Sequence, residues 1–297
     1  MHKNITHCGY TAVIGRSNVG KSSLLNQILG YKLSITSRKP QTTRYRILGI
    51  KTFKDLQVIY VDTPGLHSDT PRMINRYMNH IAQEALQNAD LIIFIIEPHW
   101  DKQDAWVLKK LQDIETPVFL VINKIDQVKD RSGLLPLIKK VSSLYLFKEI
   151  IPISARTNDQ VGVLEKKIND RMPESPFYFP QEQVTDCNDQ FLTTEIIREK
   201  LMRSLGQEIP YSLAVTILMF QQEEKILRIS AVIWVERKRQ KGIVIGKDGE
   251  RLKKISTTAR IDMEKLFNQK VFLQVWVKVK SGWSDSESLL KELGFKK

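Results

Sequence analysis

The chain has 297 residues, of which 42% are hydrophobic and 27% charged, with 46 lysines and arginines against 33 aspartates and glutamates. This composition is typical of a soluble globular protein and excludes a chain that is disordered throughout. At roughly 100–200 residues per domain, the length predicts two domains. The formal charge of +13 favours a polyanionic partner such as nucleic acid, a ribosome or an anionic lipid surface, although solubility alone also accounts for it.

The cysteines and histidines exclude a disulfide scaffold and a zinc site. Cys8 and Cys187 stand far apart without a CxxC pair, and the five histidines show no ligand spacing. The longest apolar run, residues 91–96, is far shorter than the about 20 residues that span a membrane, so it predicts a buried strand. Because the N-terminus carries no apolar signal-peptide segment, we expect a cytoplasmic protein.

The first 172 residues alternate between strand-like and helix-like patterns. Short runs, several of them rich in valine and isoleucine, predict strands at residues 10–14, 45–51, 57–61, 91–96, 118–122 and 150–153. Amphipathic stretches predict helices at residues 72–87, 105–112 and 161–171. Such alternation favours βαβ units and therefore a doubly wound, mostly parallel α/β sheet.

Three prolines between residues 172 and 180 predict an extended linker, which we place at residues 173–182 between domains at 1–172 and 183–297. Beyond it, the pattern predicts a helix at 193–205, strands at 211–220 and 226–235, helices at 239–245 and 249–266, and a strand at 271–279. The order α-β-β-α-α-β indicates a second domain of the α+β class.

Residues 15–22, GRSNVGKS, match the phosphate-loop pattern GxxxxGK[ST] between a predicted strand and a predicted helix. The glycines let the backbone approach phosphate closely, and the amides at the helix N-terminus face the negative charge. Lys21 is expected to reach the β- and γ-phosphates, and Ser22 to bind Mg²⁺. The predicted nucleotide contacts here are Gly15, Asn18, Val19, Gly20, Lys21, Ser22 and Ser23.

Asp62 and Gly65 belong to a DTPG segment that ends the predicted strand 57–61. Asp62 therefore lies at the carboxyl edge of the sheet beside the phosphate loop, where a carboxylate binds Mg²⁺ through water. The backbone amide of Gly65 can donate to a γ-phosphate and move when that phosphate leaves.

An NKID segment follows the predicted strand 118–122 and points to guanine. The carboxylate of Asp126 can accept hydrogen bonds from N1–H and the N2 amino group of guanine, a donor pair that adenine lacks. Asn123 can brace the loop, and the stem of Lys124 can cover the flat base. Ser154 and Ala155 end the last strand, where a backbone amide can reach the guanine O6.

These segments together resemble the five sequence boxes of translation-factor-class GTPases, and the resemblance spans residues 10–171. It implies binding of GTP or GDP with Mg²⁺. In related GTPases a threonine in the loop 39–44 binds Mg²⁺ only in the triphosphate state. Thr43 is our first candidate and Thr42 the alternative, and a plain surface loop is the remaining interpretation. Gly65 and residues 66–76 would form the second switch.

The residue that follows Gly65 is Leu66, where Ras-like enzymes carry a glutamine that orients the attacking water. We therefore expect slow intrinsic hydrolysis. Asn18 stands where a potassium-activated subset of these GTPases carries an asparagine that helps to hold K⁺, although it could instead only shape the loop. The predicted catalytic set is Asn18, Lys21, Thr43 and Gly65.

In the second domain a GxxG segment, residues 246–249, lies between two predicted helices and resembles the loop of type II KH domains, which clamps single-stranded nucleic acid. Residues 225–280 hold 15 lysines and arginines against 5 acids, a net charge of +10, which suits RNA. The predicted RNA contacts are Lys241, Gly242, Ile243, Ile245, Gly246, Lys247, Asp248, Gly249, Arg251 and Lys253. We interpret Trp234 and Trp276 as core or edge aromatics rather than stacking platforms.

A GTPase domain followed by a type II KH domain resembles the Era family over nearly the whole chain. The resemblance implies a monomer that binds the 3′ end of 16S ribosomal RNA, assists small-subunit assembly and contacts the inner membrane peripherally. Two other hypotheses stay open: a nucleic-acid-binding module with a mainly structural nucleotide, and a GTPase whose basic domain binds anionic lipid.

Overall fold

The computed structural model describes residues 5–37, 39, 42–66, 72–206 and 213–293, and they form two compact units. The first unit comprises the described residues of Met1–Thr36, Thr43–Thr70 and Asn75–Asp186. The second comprises those of Ser37–Thr42, Pro71–Ile74 and Cys187–Lys297. Part of the predicted second switch, residues 67–71, and the start of the strand predicted at 211–220 lie outside the described residues.

The first unit contains a six-stranded sheet with helices between its strands. Its strands are β1 (His7–Ile14), β2 (Ile47–Phe53), β3 (Leu56–Asp62), β4 (Leu91–Ile96), β5 (Val118–Ile122) and β6 (Glu149–Pro152). Its helices are α1 (Lys21–Leu29), α2 (Met73–Gln87, from Asn75 onwards), α3 (Lys102–Lys109), α4 (Leu134–Ser142) and α5 (Val161–Asn169). The strand order is β2-β3-β1-β4-β5-β6, and only the β2–β3 pair is antiparallel. The predicted doubly wound, mostly parallel sheet is confirmed.

Two apolar clusters cover the two faces of this sheet. Every residue of β4 is buried, and its side chains alternate between the clusters, with Ile92 and Phe94 in one and Leu91 and Ile93 in the other. Such strands, buried on both faces, read as continuous apolar runs. The register pairs Val13 of β1 with Asp62 of β3, so the phosphate loop and Asp62 leave the sheet at the same edge.

Several helices depart by three residues or more from the sequence predictions or are absent from them. The helix predicted at 193–205 begins four residues earlier, at Asp189, because the Asn188 side chain caps it. The helix predicted at 105–112 begins three residues earlier, because a capping box fixes its start. The Asp101 side chain accepts a hydrogen bond from the Gln103 amide, and the Asp104 side chain accepts one from the Asp101 amide. Helix α4 is absent from the sequence predictions. Its proline, Pro136, lies in the first turn, where the missing amide proton would have no partner within the helix.

The second unit has a three-stranded sheet with helices packed on one face. Its elements are α6 (Asp189–Ser204), β7 (Leu213–Gln222), β8 (Ile226–Val235), α7 (Lys238–Ile245), α8 (Glu250–Phe267), β9 (Lys270–Val279) and α9 (Glu287–Glu292). Strand β8 pairs antiparallel with β7 and parallel with β9. The predicted α-β-β-α-α-β order is confirmed, and α9 extends it. In the described part of the chain, no helix combines the length and apolar character needed to cross a bilayer.

The predicted linker, residues 173–182, falls inside the first unit, whose last residue is Asp186. The fully buried side chain of Gln57 in β3 forms hydrogen bonds with this segment. The Gln57 Oε1 accepts hydrogen bonds from the amides of Tyr178 and Phe179 at 3.1 and 3.0 Å, and its Nε2 donates to the Phe179 carbonyl at 2.9 Å. The Tyr178 ring also stacks on Tyr10 with centroids 5.6 Å apart. The proline-rich composition predicts extended backbone in this segment. The hydrogen bonds of Gln57 then hold that backbone against β3.

Replacing Gln57 by alanine should release this segment. The loss leaves three backbone groups without their partner, so we expect the free energy of unfolding to fall by about 2 kcal/mol. Hydrogen exchange of a peptide covering residues 174–182 should accelerate in Gln57→Ala and not in Gln127→Ala, which changes an exposed glutamine. Unchanged protection of the Tyr178 and Phe179 amides would contradict the assignment.

Candidate functional site

The phosphate loop runs from the end of β1 into α1, and Gly20 caps the helix in a left-handed conformation with φ of 104°. A Cβ at this position would lie 2.2 Å from the Asn123 Nδ2 atom. That amide in turn donates to the Val19 carbonyl at 2.8 Å. Only glycine fits between the phosphate loop and the NKID loop, because any side chain would meet both an unfavourable backbone angle and Asn123.

Lys21 is buried, and its ammonium donates to the carbonyls of Gly15 and Arg16 at 3.1 and 3.0 Å. Burial lowers the pKa of Lys21 to about 8, with Asp62 acting in the opposite direction. The Nζ atom therefore lies inside the ring of the loop, where an anion with several oxygens can replace the carbonyls as acceptor.

Three oxygen-bearing side chains converge beside this lysine. The Ser22 hydroxyl lies 2.9 Å from the Thr43 hydroxyl and donates to Asp62 Oδ2 at 2.8 Å. Thr43 also donates to Asp62 Oδ2, at 3.3 Å. Asp62 is fully buried, and burial raises the pKa of its carboxyl. Its Oδ1 has no hydrogen-bond partner among the described residues. Hydroxyl and carboxylate oxygens are ligands that Mg²⁺ prefers, so this cluster fits that ion.

The two candidate threonines differ clearly in their contacts. Thr43 is buried in the cluster with Ser22 and Asp62, whereas the Thr42 hydroxyl donates to the Lys39 carbonyl at 2.7 Å within its own loop. The geometry therefore favours Thr43 as the metal ligand.

The base end of the site forms around Asn123. Its Oδ1 accepts the Ala155 amide at 3.0 Å, which joins the NKID loop to the loop after β6. The Ser154 hydroxyl donates to Asp126 Oδ1 at 2.7 Å and so orients that carboxylate. Lys124 donates to the Asn18 carbonyl at 2.7 Å, which bridges the NKID loop and the phosphate loop. Asn18 has a φ of 69° and is exposed, as is Ser23 in the first turn of α1.

The DTPG segment brings Gly65 against the phosphate loop, where a Cβ would lie 2.6 Å from the Ser17 hydroxyl. Leu66 is buried in an apolar cluster of the first unit. An apolar, buried side chain at this position cannot orient an attacking water, which agrees with the expectation drawn from the sequence.

Sequence reasoning missed two groups of residues near these loops. Arg16 and Glu97 form an ion pair beside the phosphate loop; Glu97 follows an apolar strand at the carboxyl edge of the sheet, and that position is a detectable signal. Arg198 of α6 is buried, pairs with Glu195 and donates to the Thr42 carbonyl, all within the second unit. Nothing in the local sequence of α6 indicates this contact.

In the second unit, the GxxG loop connects α7 and α8. Gly246 has a φ of 78°, and a Cβ there would lie 2.7 Å from the Arg251 Cβ. Gly242 lies inside α7, and a methyl group added to it would meet no atom within 4 Å, so the two glycines have different steric roles. Asp248 has a φ of 49°, which completes the sharp turn before α8.

The basic residues near the loop are exposed and available to phosphates. The exposed members are Lys241, Lys247, Arg251 and Lys253. Arg251 also donates to the Ile243 carbonyl at 2.5 Å and so braces the loop. Ile243 and Ile245 are half-buried against the core, and Val244 is fully buried in it. Asp248 is exposed and Gly249 is half-buried.

The two tryptophans of the sheet differ. Trp234 is half-buried and donates to the Thr216 hydroxyl at 2.8 Å, whereas Trp276 on β9 is 39% exposed. Trp234 is therefore anchored in the sheet, and Trp276 is an edge aromatic.

Comparisons with known proteins agree with this architecture. Residues 10–124 match a family model described as a 50S ribosome-binding GTPase, and residues 208–284 match a KH-domain model. The GTPase Era of Coxiella burnetii (strain Dugway 5J108-111) is 72% identical over 290 residues, which cover 98% of each chain. The GTPase Era of Pseudomonas aeruginosa (strain LESB58) is 49% identical over 299 residues, which cover 99% of this chain and 98% of that one.

Two solved structures match over nearly the full length. A crystal structure of Era in complex with MgGDPNP and nucleotides 1506–1542 of 16S ribosomal RNA has a TM-score of 0.95 at 36% identity and covers 98% of this chain and 100% of that one. A single-residue variant of Aquifex aeolicus Era bound to GDP·AlF4⁻ gives the same values. The fold and site thus define a P-loop GTPase domain followed by a KH domain. The chain belongs to the Era family of GTPases.

The different contacts of Thr42 and Thr43 allow a test of which threonine binds Mg²⁺. Thr43→Ala removes a ligand expected only in the triphosphate state, so affinity for a non-hydrolysable GTP analogue in Mg²⁺ should fall about tenfold. Affinity for GDP should stay near the wild-type value. Fluorescent nucleotide titrations of Thr43→Ala and of Thr42→Ala as the matched control would check this. A larger loss in Thr42→Ala would reverse the assignment.

Proposed function

We propose that this chain is a GTP-hydrolysing switch that binds the 3′ end of 16S ribosomal RNA and assists assembly of the small ribosomal subunit. The convergence of Ser22 and Thr43 on the buried Asp62, next to Lys21, carries the nucleotide half of the proposal. The exposed basic residues around the GxxG loop support the RNA half, as does the related Era structure that holds nucleotides 1506–1542.

Each residue of the nucleotide site has a role in this proposal. Ser22 and Thr43 would hold Mg²⁺ directly and Asp62 through water, and the ion would neutralise charge on the phosphates. Lys21 and the loop amides would position the β- and γ-phosphates, and the Gly65 amide would contact the γ-phosphate. Asp126, oriented by Ser154, would select guanine.

Intrinsic hydrolysis should be slow, because the buried Leu66 cannot place the attacking water. The transition state then needs positive charge from another source. Asn18 is exposed in the phosphate loop and is a candidate for holding K⁺ there. We propose potassium as the activating ion.

The nucleotide state is proposed to reach the second unit through the segment before Thr43. Arg198, 2% exposed and paired with Glu195, donates to the Thr42 carbonyl. Lys39 donates to carbonyls at the C-terminal end of α6, including that of Gly206 at 3.3 Å. The peptide bond from Thr42 to Thr43 connects this anchored segment to the cluster of Ser22, Thr43 and Asp62. Ordering of Thr43 around Mg²⁺ is proposed to act on the second unit through this peptide bond.

We further propose that the protein acts as a monomer and touches the inner membrane peripherally. The net charge of +10 over residues 225–280 (15 basic minus 5 acidic side chains) supports attraction to anionic lipid headgroups as well as to RNA. Salt-sensitive binding to vesicles containing anionic lipid, competed by the ribosomal RNA 3′ end, would place both partners on the same surface. Vesicle binding without any RNA preference would favour the lipid-binding alternative.

Hydrolysis assays test the catalytic proposal. GTP turnover should be faster in potassium than in sodium and should rise further with an oligonucleotide of the ribosomal RNA 3′ end. Asn18→Ala should lose the potassium effect and keep the RNA effect. Asn158→Ala is the matched control, since Asn158 has a similar φ of 61°. Negligible turnover even with RNA and potassium would favour a mainly structural nucleotide. Equal, measurable turnover in every condition would contradict activation by potassium and by RNA.

The two glycines near the KH loop test the RNA proposal. Gly246→Ala forces a methyl group toward Arg251 at an unfavourable backbone angle, so RNA affinity should fall by about tenfold or more. Gly242→Ala adds the same methyl group in open space within a helix and should bind as the wild type does. Filter binding or fluorescence anisotropy with the oligonucleotide measures both. Equal binding by the two variants would argue against the loop as the RNA site.

A further inference from the structure

Glu97, the residue that follows β4, lies between the two loops that would hold opposite ends of a nucleotide. Its Oε2 accepts a hydrogen bond from the guanidinium of Arg16, the second residue of the phosphate loop. Its Oε1 accepts one from the ammonium of Lys124, the second residue of the NKID segment. One carboxylate therefore connects both loops.

These ion pairs are largely shielded from water. The side chains of Arg16, Glu97 and Lys124 are 14%, 16% and 28% exposed. Fully exposed ion pairs contribute little to stability, whereas shielded ion pairs are screened less by solvent. Breaking a shielded pair leaves a charge without its partner. Burial opposes ionisation of Glu97, but hydrogen bonds from Lys124 and Arg16 outweigh it and hold the pKa of this carboxyl below its ordinary value.

Each cation also has a second anchor. The Arg16 Nε atom lies 3.3 Å from Oδ1 of the fully buried Asp104, and its NH2 atom lies 3.1 Å from the His99 ring nitrogen. Lys124 donates to the Asn18 carbonyl. Because its ammonium has two acceptors, the Lys124 side chain is restrained, and its methylene stem can cover a flat base.

We propose that Glu97 is a positioning residue for guanine nucleotide binding. It holds the Lys124 stem against the base and Arg16 within the phosphate loop, so that the two loops close on the nucleotide together. Glu97 acts through Lys124 and needs no contact with the nucleotide. The inference rests on the proposed function, because it requires a guanine nucleotide in this site.

A double-mutant cycle tests this assignment. Glu97→Gln keeps the size of the side chain and removes its charge, so the dissociation rate of fluorescently labelled GDP should rise about tenfold. In a Lys124→Met background the same change should raise the rate only about twofold, because the residue through which Glu97 acts is gone. Equal effects in the two backgrounds would overturn the proposal.

Control variants separate positioning from general stability. Glu149→Gln breaks another ion pair of the same domain, with Lys167 at 2.8 Å, and should leave the GDP dissociation rate unchanged. Glu97→Asp keeps the charge with a shorter reach and should recover part of the wild-type rate. Thermal unfolding without nucleotide should be similar in Glu97→Gln and Glu149→Gln. If only stability changes and the dissociation rate does not, the role of Glu97 is structural.

The same experiment distinguishes failure of this inference from failure of the proposed function. A wild-type chain that does not bind labelled GDP would overturn both. A wild-type chain that binds, with Glu97→Gln dissociating at the wild-type rate, would overturn only the role of Glu97.

Discussion

A single buried carboxylate, that of Asp62, is the constraint on which the nucleotide site depends. One of its oxygens accepts from Ser22 and Thr43, and the other has no hydrogen-bond partner among the described residues. A buried charge is unfavourable unless it is paired, and Lys21 nearby offsets only part of that penalty. Mg²⁺ with a nucleotide would satisfy the carboxylate, and Ser22 of the phosphate loop and Thr43 both contact it.

The proposed coupling between nucleotide and second unit begins at the same cluster of side chains. Thr43 belongs to the first unit and contacts Asp62, whereas Thr42 belongs to the second unit, where its carbonyl accepts from Arg198. A buried arginine paired with Glu195 is a rigid anchor, because both side chains are 2% exposed. The proposed coupling of γ-phosphate release to the second unit runs through the peptide bond between Thr42 and Thr43.

The sequence could predict features that depend on neighbouring residues, but not those that depend on residues far apart in the chain. The phosphate loop, the NKID segment and the GxxG loop are each a short run of consecutive residues. The residue types and their spacing within each run, such as the positions of Gly20 and Gly246, are enough to indicate the chemistry. Contacts between distant segments could not be predicted, because Glu97, Arg198 and Gln57 acquire partners only when the chain folds. The choice between Thr42 and Thr43 needed the position of Asp62. Helix α4 could not be predicted from the local pattern, because a proline usually breaks a helix. Pro136 is tolerated here because it lies in the first turn.

The affinity of the protein for the ribosomal RNA 3′ end in its two nucleotide states tests the central claim most directly. A ligand shifts a conformational equilibrium only as far as its affinities for the two states differ. The account predicts different RNA affinities with GDP and with a non-hydrolysable GTP analogue, and a smaller difference in Arg198→Met, where the Thr42 carbonyl loses its donor. Equal RNA affinities in the two nucleotide states of the wild type would contradict it.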